Sequence, residues 1–266
     1  MPQIETTLGT PERWGRLWGA RACDWGAIEE QQVPTYEEAL RHVEVEAGQR
    51  VLDIGCGTGV FLRLVADRGA KTFGLDASDA LIEIARERLP DADLRVGDME
   101  ALPYDDDGFD VVSGFNAFFF ANDFVGALGE AGRVAKPAAT VVIQVWGPHE
   151  RNELEAMKEV VRPFLPPRPP DAPPEPDYSA PGVLESLARE AGLQPDQRFQ
   201  TRYAFEYPDE ETLGRAMMAP AGIATLVGPQ REDQVRAAIV EGLAPYRTQD
   251  GGYRLENEFQ FLIARA

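Results

Sequence analysis

The glycine-rich run VLDIGCGTG at residues 51–59 is the part of the sequence with the clearest chemistry. Asp53 ends an apolar strand, and Gly55, Gly57 and Gly59 follow at every second position. Because glycine lacks a Cβ atom, this turn can adopt positive φ angles and bring its backbone close to a ligand. The helix expected directly after the turn directs its free N–H groups and its dipole toward the loop. The pattern predicts a nucleotide-like cofactor site.

The class of cofactor follows from comparing the loop with two known phosphate-binding motifs and from the charge of Asp53. A phosphate-binding P-loop requires a lysine after the last glycine, and none follows Gly59. A dinucleotide loop that starts at Gly55 requires glycine at position 60, where the chain has Val60. Asp53 would repel a pyrophosphate, but it suits a cation or an ammonium group. We therefore predict an adenosine derivative that carries positive charge; a tight strand-to-helix connection without a ligand would also explain the glycines.

Two more acids stand at the ends of the next two predicted strands. Asp76 ends the segment 71–76, about 20 residues after the glycine-rich turn, where a carboxylate binds ribose hydroxyls in related sheets. Strand 93–96 leads to Asp98, an acceptor for an adenine amine, and to Met99, a cover for the ring face. Because open α/β sheets bind ligands at strand carboxyl ends, the shared placement indicates one site. Taken singly, Asp76 also fits a helix cap and Asp98 a surface loop.

Five motifs in order give the chain a family resemblance. The sequence resembles the class I S-adenosylmethionine-dependent methyltransferases, in the small-molecule branch that includes the ubiquinone and menaquinone biosynthesis enzymes. The resemblance implies an α/β fold with a Rossmann-like, seven-stranded, mostly parallel sheet, helices on both faces, an antiparallel last strand and S-adenosylmethionine as cofactor. The motifs are VLDIGCGTG, GLDAS at 74–78, GDMEALP at 97–103, FDVV at 109–112 and RVAKP at 133–137.

The resemblance also implies roles for individual residues. The glycine-rich loop would pass beneath the methionine part of the cofactor, and the acids would hold its ribose and adenine. Asn116, just past the fourth strand, would lie close to the sulfonium. The cofactor-binding residues implied in this way are Asp53, Gly55, Cys56, Gly57, Gly59, Asp76, Ala77, Asp98, Met99 and Asn116. One departure is visible, because Ala138-Ala139 stands where family members usually carry two glycines.

Composition limits the other classes of function. The formal net charge of −19 argues against a nucleic-acid substrate, whose phosphates need a basic surface. No cluster of His, Cys and acidic residues has the spacing of metal ligands, so we expect no metal. No signal peptide and no apolar stretch of about 20 residues is visible, so we expect a cytoplasmic protein without membrane contact. The sequence leaves the oligomeric state open, with a homodimer as one possibility.

We divide the chain into three parts of a single overall domain. Residues 1–48 form an N-terminal helical cap, residues 49–147 form the cofactor-binding core, and residues 148–266 supply substrate-cover segments and complete the core sheet. The stretch Pro163–Pro181 contains nine prolines, which exclude a helix or a central strand and predict an extended loop.

The N-terminal cap carries residues that suit a lid. An aromatic helix before the first strand can fold over the carboxyl edge of the sheet, where Trp25 or Trp18 would cover the methyl donor and Arg21 would pair with its carboxylate. Packing of the tryptophans onto the domain is an equally good explanation, since large aromatic side chains often serve packing.

The site of the methyl acceptor leaves weaker signals. Phe118 after strand four, Trp146 at the end of strand five and the nearby His149 are the candidate substrate-binding residues, and His149 is the candidate base. Together they predict an apolar, aromatic pocket for a small molecule, although the phenylalanines also fit core packing. Direct in-line displacement from the sulfonium requires mainly alignment of two reactants. A nicotinamide-dependent oxidoreductase and a non-catalytic cofactor-binding module are the alternative functions.

Overall fold

A computed structural model describes residues 10–167 and 176–266 of the chain, and a seven-stranded sheet runs through its centre. The sheet has the strand order β3-β2-β1-β4-β5-β7-β6, in which β1 to β5 are parallel and β7 is antiparallel to both of its neighbours. The fold predicted from the sequence is therefore confirmed. The strands are β1 (Arg50–Ile54), β2 (Lys71–Asp76), β3 (Asp93–Val96), β4 (Phe109–Phe115), β5 (Ala135–Trp146), β6 (Gln194–Tyr207) and β7 (Tyr253–Arg265).

Helices cover both faces of this sheet. One buried cluster joins the sheet to helices α3, α4, α5, α7, α9 and α11, and the other joins it to α6 and α8. The helices are α1 (Thr10–Gly19), α2 (Ala22–Ile28), α3 (Val33–His42), α4 (Val60–Ala66), α5 (Asp79–Arg88), α6 (Phe124–Val134), α7 (Glu155–Val161), α8 (Val183–Glu190), α9 (Glu210–Met218), α10 (Ile223–Val227) and α11 (Glu232–Gly242). A 3₁₀ turn, Glu29–Gln32, joins α2 to α3.

The strand order reverses between β1 and β4, the position at which open α/β sheets form a ligand crevice. Both strands are apolar runs; Val51, Leu52 and Ile54 are fully buried, as expected for parallel strands covered on both faces. Asp53 pairs in register with Ser113 of β4. The loops that follow these two strands therefore leave the sheet side by side.

The two alanines noted in the sequence lie in an irregular part of β5, where its register with β4 shifts between Ala135 and Thr140. Ala138 has φ of +65°, a conformation that glycine adopts at no steric cost and that is uncommon for a residue with a Cβ atom. Ala138 is exposed and its N–H donates to the Ala266 carbonyl at 2.9 Å. The backbone conformation that favours glycine is therefore adopted here by alanine.

The second half of the chain adds the long strand β6 to the edge of the sheet. It pairs with β7 along its whole length, from Gln194 opposite Arg265 to Tyr207 opposite Tyr253. Of the proline-rich stretch, residues 168–175 lie outside the described residues. Within the described ranges, no helix has both the length and the apolar character that crossing a bilayer requires.

Candidate active site

A cavity of about 360 Å³ opens at the carboxyl edge of the sheet, under the N-terminal cap. The loop after β1 and the ends of β2, β3 and β4 line one part of it. We call this part the acidic side and define it by Glu29, Gly55, Gly57, Asp76 and Asp98. The cavity thus lies where the sequence motifs predict a cofactor.

The glycine-rich loop approaches the cavity with its backbone. Gly55 and Gly57 have φ angles of +72° and +55°. A Cβ atom on Gly55 would lie 2.6 Å from the Cβ of Ala117, so no side chain fits there. The N–H groups of Gly55 and Cys56 both donate to the Leu75 carbonyl, at 2.7 and 3.0 Å. These bonds fix the loop on the end of β2.

Two buried carboxyls hold the loop from below. Asp76 accepts hydrogen bonds from the N–H groups of Gly57, at 3.0 Å, and Ser78, at 2.9 Å. Asp53 accepts a hydrogen bond from the Ser113 hydroxyl at 2.7 Å. Burial raises the pKa of both carboxyls, because transfer out of water disfavours the charged form.

Glu29 of the 3₁₀ turn brings a third carboxyl to the loop. Its Oε2 accepts from the backbone N–H and the hydroxyl of Thr58, at 2.9 and 2.8 Å. Its Oε1 bonds to no described residue and lies 2.8 Å from the position that a Cβ on Gly57 would take. Burial raises the pKa of Glu29 to about 7, although the Thr58 bonds and Arg88 oppose this rise. A cation bound at the loop would therefore relieve the repulsion among three buried acids.

The rest of the acidic side carries Asp98 and Met99 after β3 and Asn116 after β4. Asp98 accepts a hydrogen bond from the Glu100 N–H at 2.9 Å. Asn116 has φ of +51°, and its Oδ1 is buried without a hydrogen-bond partner in the described chain. A buried amide oxygen is costly to leave unpaired, so this atom is suited to a ligand that carries positive charge or donates a hydrogen bond.

Aromatic side chains of the N-terminal cap close the cavity from above. Trp14, Trp18 and Trp25 all line it. The rings of Trp18 and Trp25 meet edge to face at 4.9 Å, and Trp14 meets Phe120 in the same way at 4.7 Å. The three tryptophans therefore pack against neighbouring aromatic rings and also line the cavity.

The opposite part of the cavity is mostly apolar. We call it the aromatic side and define it by Tyr36 of α3, Phe115 of β4, Trp146 of β5, and Phe205 and Tyr207 of β6. Met157 and Met217, from α7 and α9, add flexible apolar surface.

The structure brings most of the sequence-predicted site residues to this cavity. The residues that line it are Trp25, Gly55, Gly57, Asp76, Ala77, Asp98, Met99, Asn116 and Trp146. Three others support the loop without lining the cavity: Asp53 and Cys56 are buried beneath it, and Gly59 precedes α4 with φ of +79°.

Three predicted side chains lie elsewhere, which corrects their expected positions. Arg21 turns away from the cavity because both oxygens of Glu232 accept hydrogen bonds from its guanidinium. Phe118 is buried in the core on the α6 and α8 face, as the packing explanation requires. His149 is 79% exposed and pairs with Glu155 at 3.0 Å, so its ring does not line the cavity.

Several cavity residues escaped the sequence analysis. Glu29, Gln32, Tyr36, Tyr207 and Met217 all line the cavity but belong to no motif. The one available signal was the run EEQQ at 29–32, four consecutive polar residues within the cap. Tyr207 and Met217 gave no signal, since their patterns match those of ordinary core residues.

Comparison with known proteins identifies a methyltransferase domain in this chain. Residues 52–143 match the family model described as a methyltransferase domain. A demethylmenaquinone methyltransferase of Renibacterium salmoninarum is 38% identical over 96 residues, which cover 36% of this chain and 40% of the relative. A malonyl-[acyl-carrier protein] O-methyltransferase of Methylococcus capsulatus is 32% identical over 163 residues, 58% of this chain and 59% of the relative.

Other matches set the limits of this comparison. A probable tRNA methyltransferase 9B of Homo sapiens is 32% identical over 124 residues, 46% of this chain and 26% of the relative. The chain spans between 26% and 59% of the length of these curated relatives. The crystal structure of a putative methyltransferase from Bacillus halodurans has a TM-score of 0.57 at 16% identity, covers 86% of this chain and 97% of the other, and shares the fold.

Proposed function

We propose that this chain, whose residues 52–143 form a class I methyltransferase domain, transfers the methyl group of S-adenosylmethionine to a small molecule. The observation that carries the proposal is the set of three buried carboxyls around the glycine-rich loop, Glu29, Asp53 and Asp76. S-adenosylmethionine offers a sulfonium and an ammonium to this negative region. The positive charge of the donor therefore complements the negative charge of the three carboxyls around the loop.

The residues present can hold each part of the methyl donor. Asp76 and Ala77 would hold the ribose, and Asp98 with Met99 would hold the adenine; all four line the cavity. The backbone of Gly55 to Gly57 would pass beneath the methionine part. The buried, unpaired Oδ1 of Asn116 would lie close to the sulfonium. Glu29 is a new member of this set, and its free Oε1 is suited to the ammonium group.

The reaction requires little acid–base chemistry from the protein. The sulfonium supplies an already activated methyl group, and an acceptor atom displaces it in line. The cavity has to align the two reactants and exclude water, which in ideal cases lowers a barrier by about 7–11 kcal/mol. The three tryptophans of the cap keep water from the acidic side. We assign no general base, since His149 projects into solvent.

The acceptor we propose is a small molecule rather than a nucleic acid. The formal net charge of −19 opposes a polyanion, and the aromatic side offers apolar walls. We also propose that residues 1–48 act as a cap, residues 49–147 as the cofactor-binding core, and residues 148–266 as substrate-cover segments that complete the sheet. We further propose a cytoplasmic protein without membrane contact. A homodimer stays a prediction.

Titration calorimetry separates this function from its rivals. We expect the protein to bind S-adenosylmethionine and S-adenosylhomocysteine and not to bind NAD. An oxidoreductase would bind NAD instead, although a dinucleotide would place two phosphates beside the three buried carboxyls. The protein is then incubated with S-adenosylmethionine and either a small acceptor from a panel or bulk tRNA. We expect S-adenosylhomocysteine to be released with at least one small acceptor and not with tRNA. Binding without any release across the panel would indicate a non-catalytic module.

A further inference from the structure

Three polar groups on or next to the aromatic side have no hydrogen-bond partner among the described residues. Tyr36 and Tyr207 line the cavity and are only 7% and 4% exposed, yet neither hydroxyl bonds to a described residue. Gln32 also lines the cavity at 8% exposure, and its Oε1 is buried without a partner in the described chain. Buried amides, and the hydroxyls of tyrosines that are almost fully buried, usually find partners, so three unpaired groups at one cavity call for an explanation.

The three groups belong to one continuous stretch of cavity wall. Gln32 and Tyr36 are four residues apart at the start of α3, which places them on one face of the helix. The preceding residue, Gln31, accepts a hydrogen bond from the Glu206 N–H at 2.6 Å and so holds this helix end against the strand that carries Tyr207. The groups therefore face the same space from two sides.

This stretch of wall reaches the point where the methyl group is expected. The ring of Tyr36 meets the ring of Phe115 at 4.8 Å. Phe115 directly precedes Asn116, the residue assigned to the sulfonium. A molecule bonded to Tyr36 would thus lie between the aromatic side and the methyl donor.

The surroundings specify the character of this molecule. Among the described residues, the charged groups that line the cavity are Glu29, Asp76 and Asp98 on the acidic side and Lys158. Lys158 is half exposed and paired with Glu155, so it places no free charge deep in the cavity. Burial raises the pKa of Tyr36 and Tyr207 well above the usual value, so both hydroxyls stay protonated and neutral. The walls next to them are aromatic rings and methionines.

From this arrangement, and resting on the proposed function, we infer that the methyl acceptor is a neutral, mainly apolar small molecule that carries a hydroxyl or carbonyl oxygen. Tyr36 and Tyr207 donate hydrogen bonds to its oxygen atoms, and Gln32 Oε1 accepts a hydrogen bond from its hydroxyl. A ligand of the same shape without oxygen would leave these buried groups unpaired. Sites built to bond a hydroxyl reject such analogues strongly for this reason.

The inference can be tested with two molecules of nearly equal shape. The full chain is first saturated with S-adenosylhomocysteine and then titrated with 2-naphthol or with naphthalene. We expect the wild type to bind 2-naphthol at least tenfold more tightly than naphthalene. In Tyr36→Phe and in Tyr207→Phe this preference should fall at least threefold, while naphthalene binds as in the wild type. Thermal melting of each variant checks that it is folded.

A tyrosine outside the cavity provides the control. Tyr203 lies on the same strand as Tyr207, and its hydroxyl bonds to Glu38. Tyr203→Phe should keep the full preference for 2-naphthol. Equal binding of both molecules to the wild type, binding of neither, or an unchanged preference in both cavity variants would overturn the inference. Failure of S-adenosylhomocysteine to bind in the first step would instead overturn the proposed function.

Discussion

The two sides of the cavity are organised in opposite ways. On the acidic side, Asp76 already accepts two backbone hydrogen bonds and Glu29 accepts two from Thr58. On the aromatic side, the hydroxyls of Tyr36 and Tyr207 bond to no described residue. The carboxyls of the acidic side are therefore anchored by the chain before any ligand binds, although Asn116 Oδ1 and Glu29 Oε1 stay available to the donor, whereas the tyrosine hydroxyls of the aromatic side have no anchoring bond.

This difference follows from the two reactants. Every methyl transfer from S-adenosylmethionine uses the same donor, so short motifs with fixed backbone geometry at the strand ends supply most of its site. The acceptor differs from one enzyme to another, and its wall is assembled from a cap helix, three strands, α7 and α9. The side that serves the common donor is therefore anchored by the chain, and the side that serves the specific acceptor has tyrosine hydroxyls without such anchoring.

The largest effect is expected at Asp76. In Asp76→Asn, the amide can replace only part of the bonds to Gly57 and Ser78 and carries no charge for the ribose hydroxyls. We expect binding of S-adenosylhomocysteine to weaken about 100-fold, or about 2.7 kcal/mol, as measured by calorimetry. Asp79→Asn, an exposed acid of the adjoining helix, should bind within twofold of the wild type. A loss below threefold in Asp76→Asn would contradict the preorganised acidic side.

A smaller and more selective effect is expected at Glu29. In Glu29→Gln the bond to the Thr58 N–H can persist, while the negative charge toward the ammonium is lost. Affinity for S-adenosylhomocysteine should fall about tenfold, in line with the loss of one charge-assisted hydrogen bond. Affinity for 5′-methylthioadenosine, which has no amino-acid part, should stay the same. The matched control is Glu30→Gln, because Glu30 pairs with Arg63 and Arg88 outside the cavity.

Equal losses for both ligands in Glu29→Gln would show that the residue only shapes the loop. Such a result would remove Glu29 from the ammonium site and leave the remainder of the acidic side unaffected.

The ligand-free protein should also lose stability as Glu29 ionises. The pKa of Glu29 is about 7 in the folded protein and near 4.5 when unfolded, so the folded state binds more protons between these values. The free energy of unfolding contributed by Glu29 is thus complete below pH 4.5 and lost as pH rises through 7. The loss is on the order of 3 kcal/mol at most. Asp76 and Arg88 also face this group and act in opposite directions.

Urea unfolding of the wild type and of Glu29→Gln between pH 4.5 and 8 measures this contribution. We expect the variant to gain stability relative to the wild type as the pH rises toward 7. A difference in the free energy of unfolding that stays constant across this pH range would show that the pKa of Glu29 is not raised in the folded protein.

The smallest effect is expected at His149. Its ring is 79% exposed and pairs with Glu155, so His149→Gln should leave kcat and KM for the acceptor within twofold of the wild type. Steady-state release of S-adenosylhomocysteine provides the measurement. A tenfold fall in kcat would show that His149 takes part in catalysis and would contradict the view that the aromatic side acts without a base.

Sequence reasoning succeeded where chemistry depends on contiguous residues. The strand–glycine–helix segment from Asp53 to Gly59 shows its role directly, because its backbone needs positive φ angles that few residue types allow. Asp76 and Asp98 are visible because strand ends have predictable positions. These features were enough to predict the sheet and to select residues that the structure brings together at its carboxyl edge.

Sequence reasoning failed where contacts join distant segments. Glu29 meets Thr58 across 29 positions, and Arg21 turns to Glu232 across 211, so neither outcome follows from a local pattern. Phe118 and its neighbour Phe120 look alike in sequence, yet one is core and the other lines the cavity. His149 follows a strand closely but projects into solvent. Only tertiary packing decides such cases.

A crystal structure of the full chain grown with saturating S-adenosylhomocysteine tests the central claim most directly. The account predicts ribose density at Asp76, the ammonium within hydrogen-bond distance of Glu29, and the sulfur beside Asn116 with its free side toward Tyr36. A cavity without the ligand at saturating concentration, or adenosine bound with its amino-acid part away from the glycine-rich loop, would contradict it.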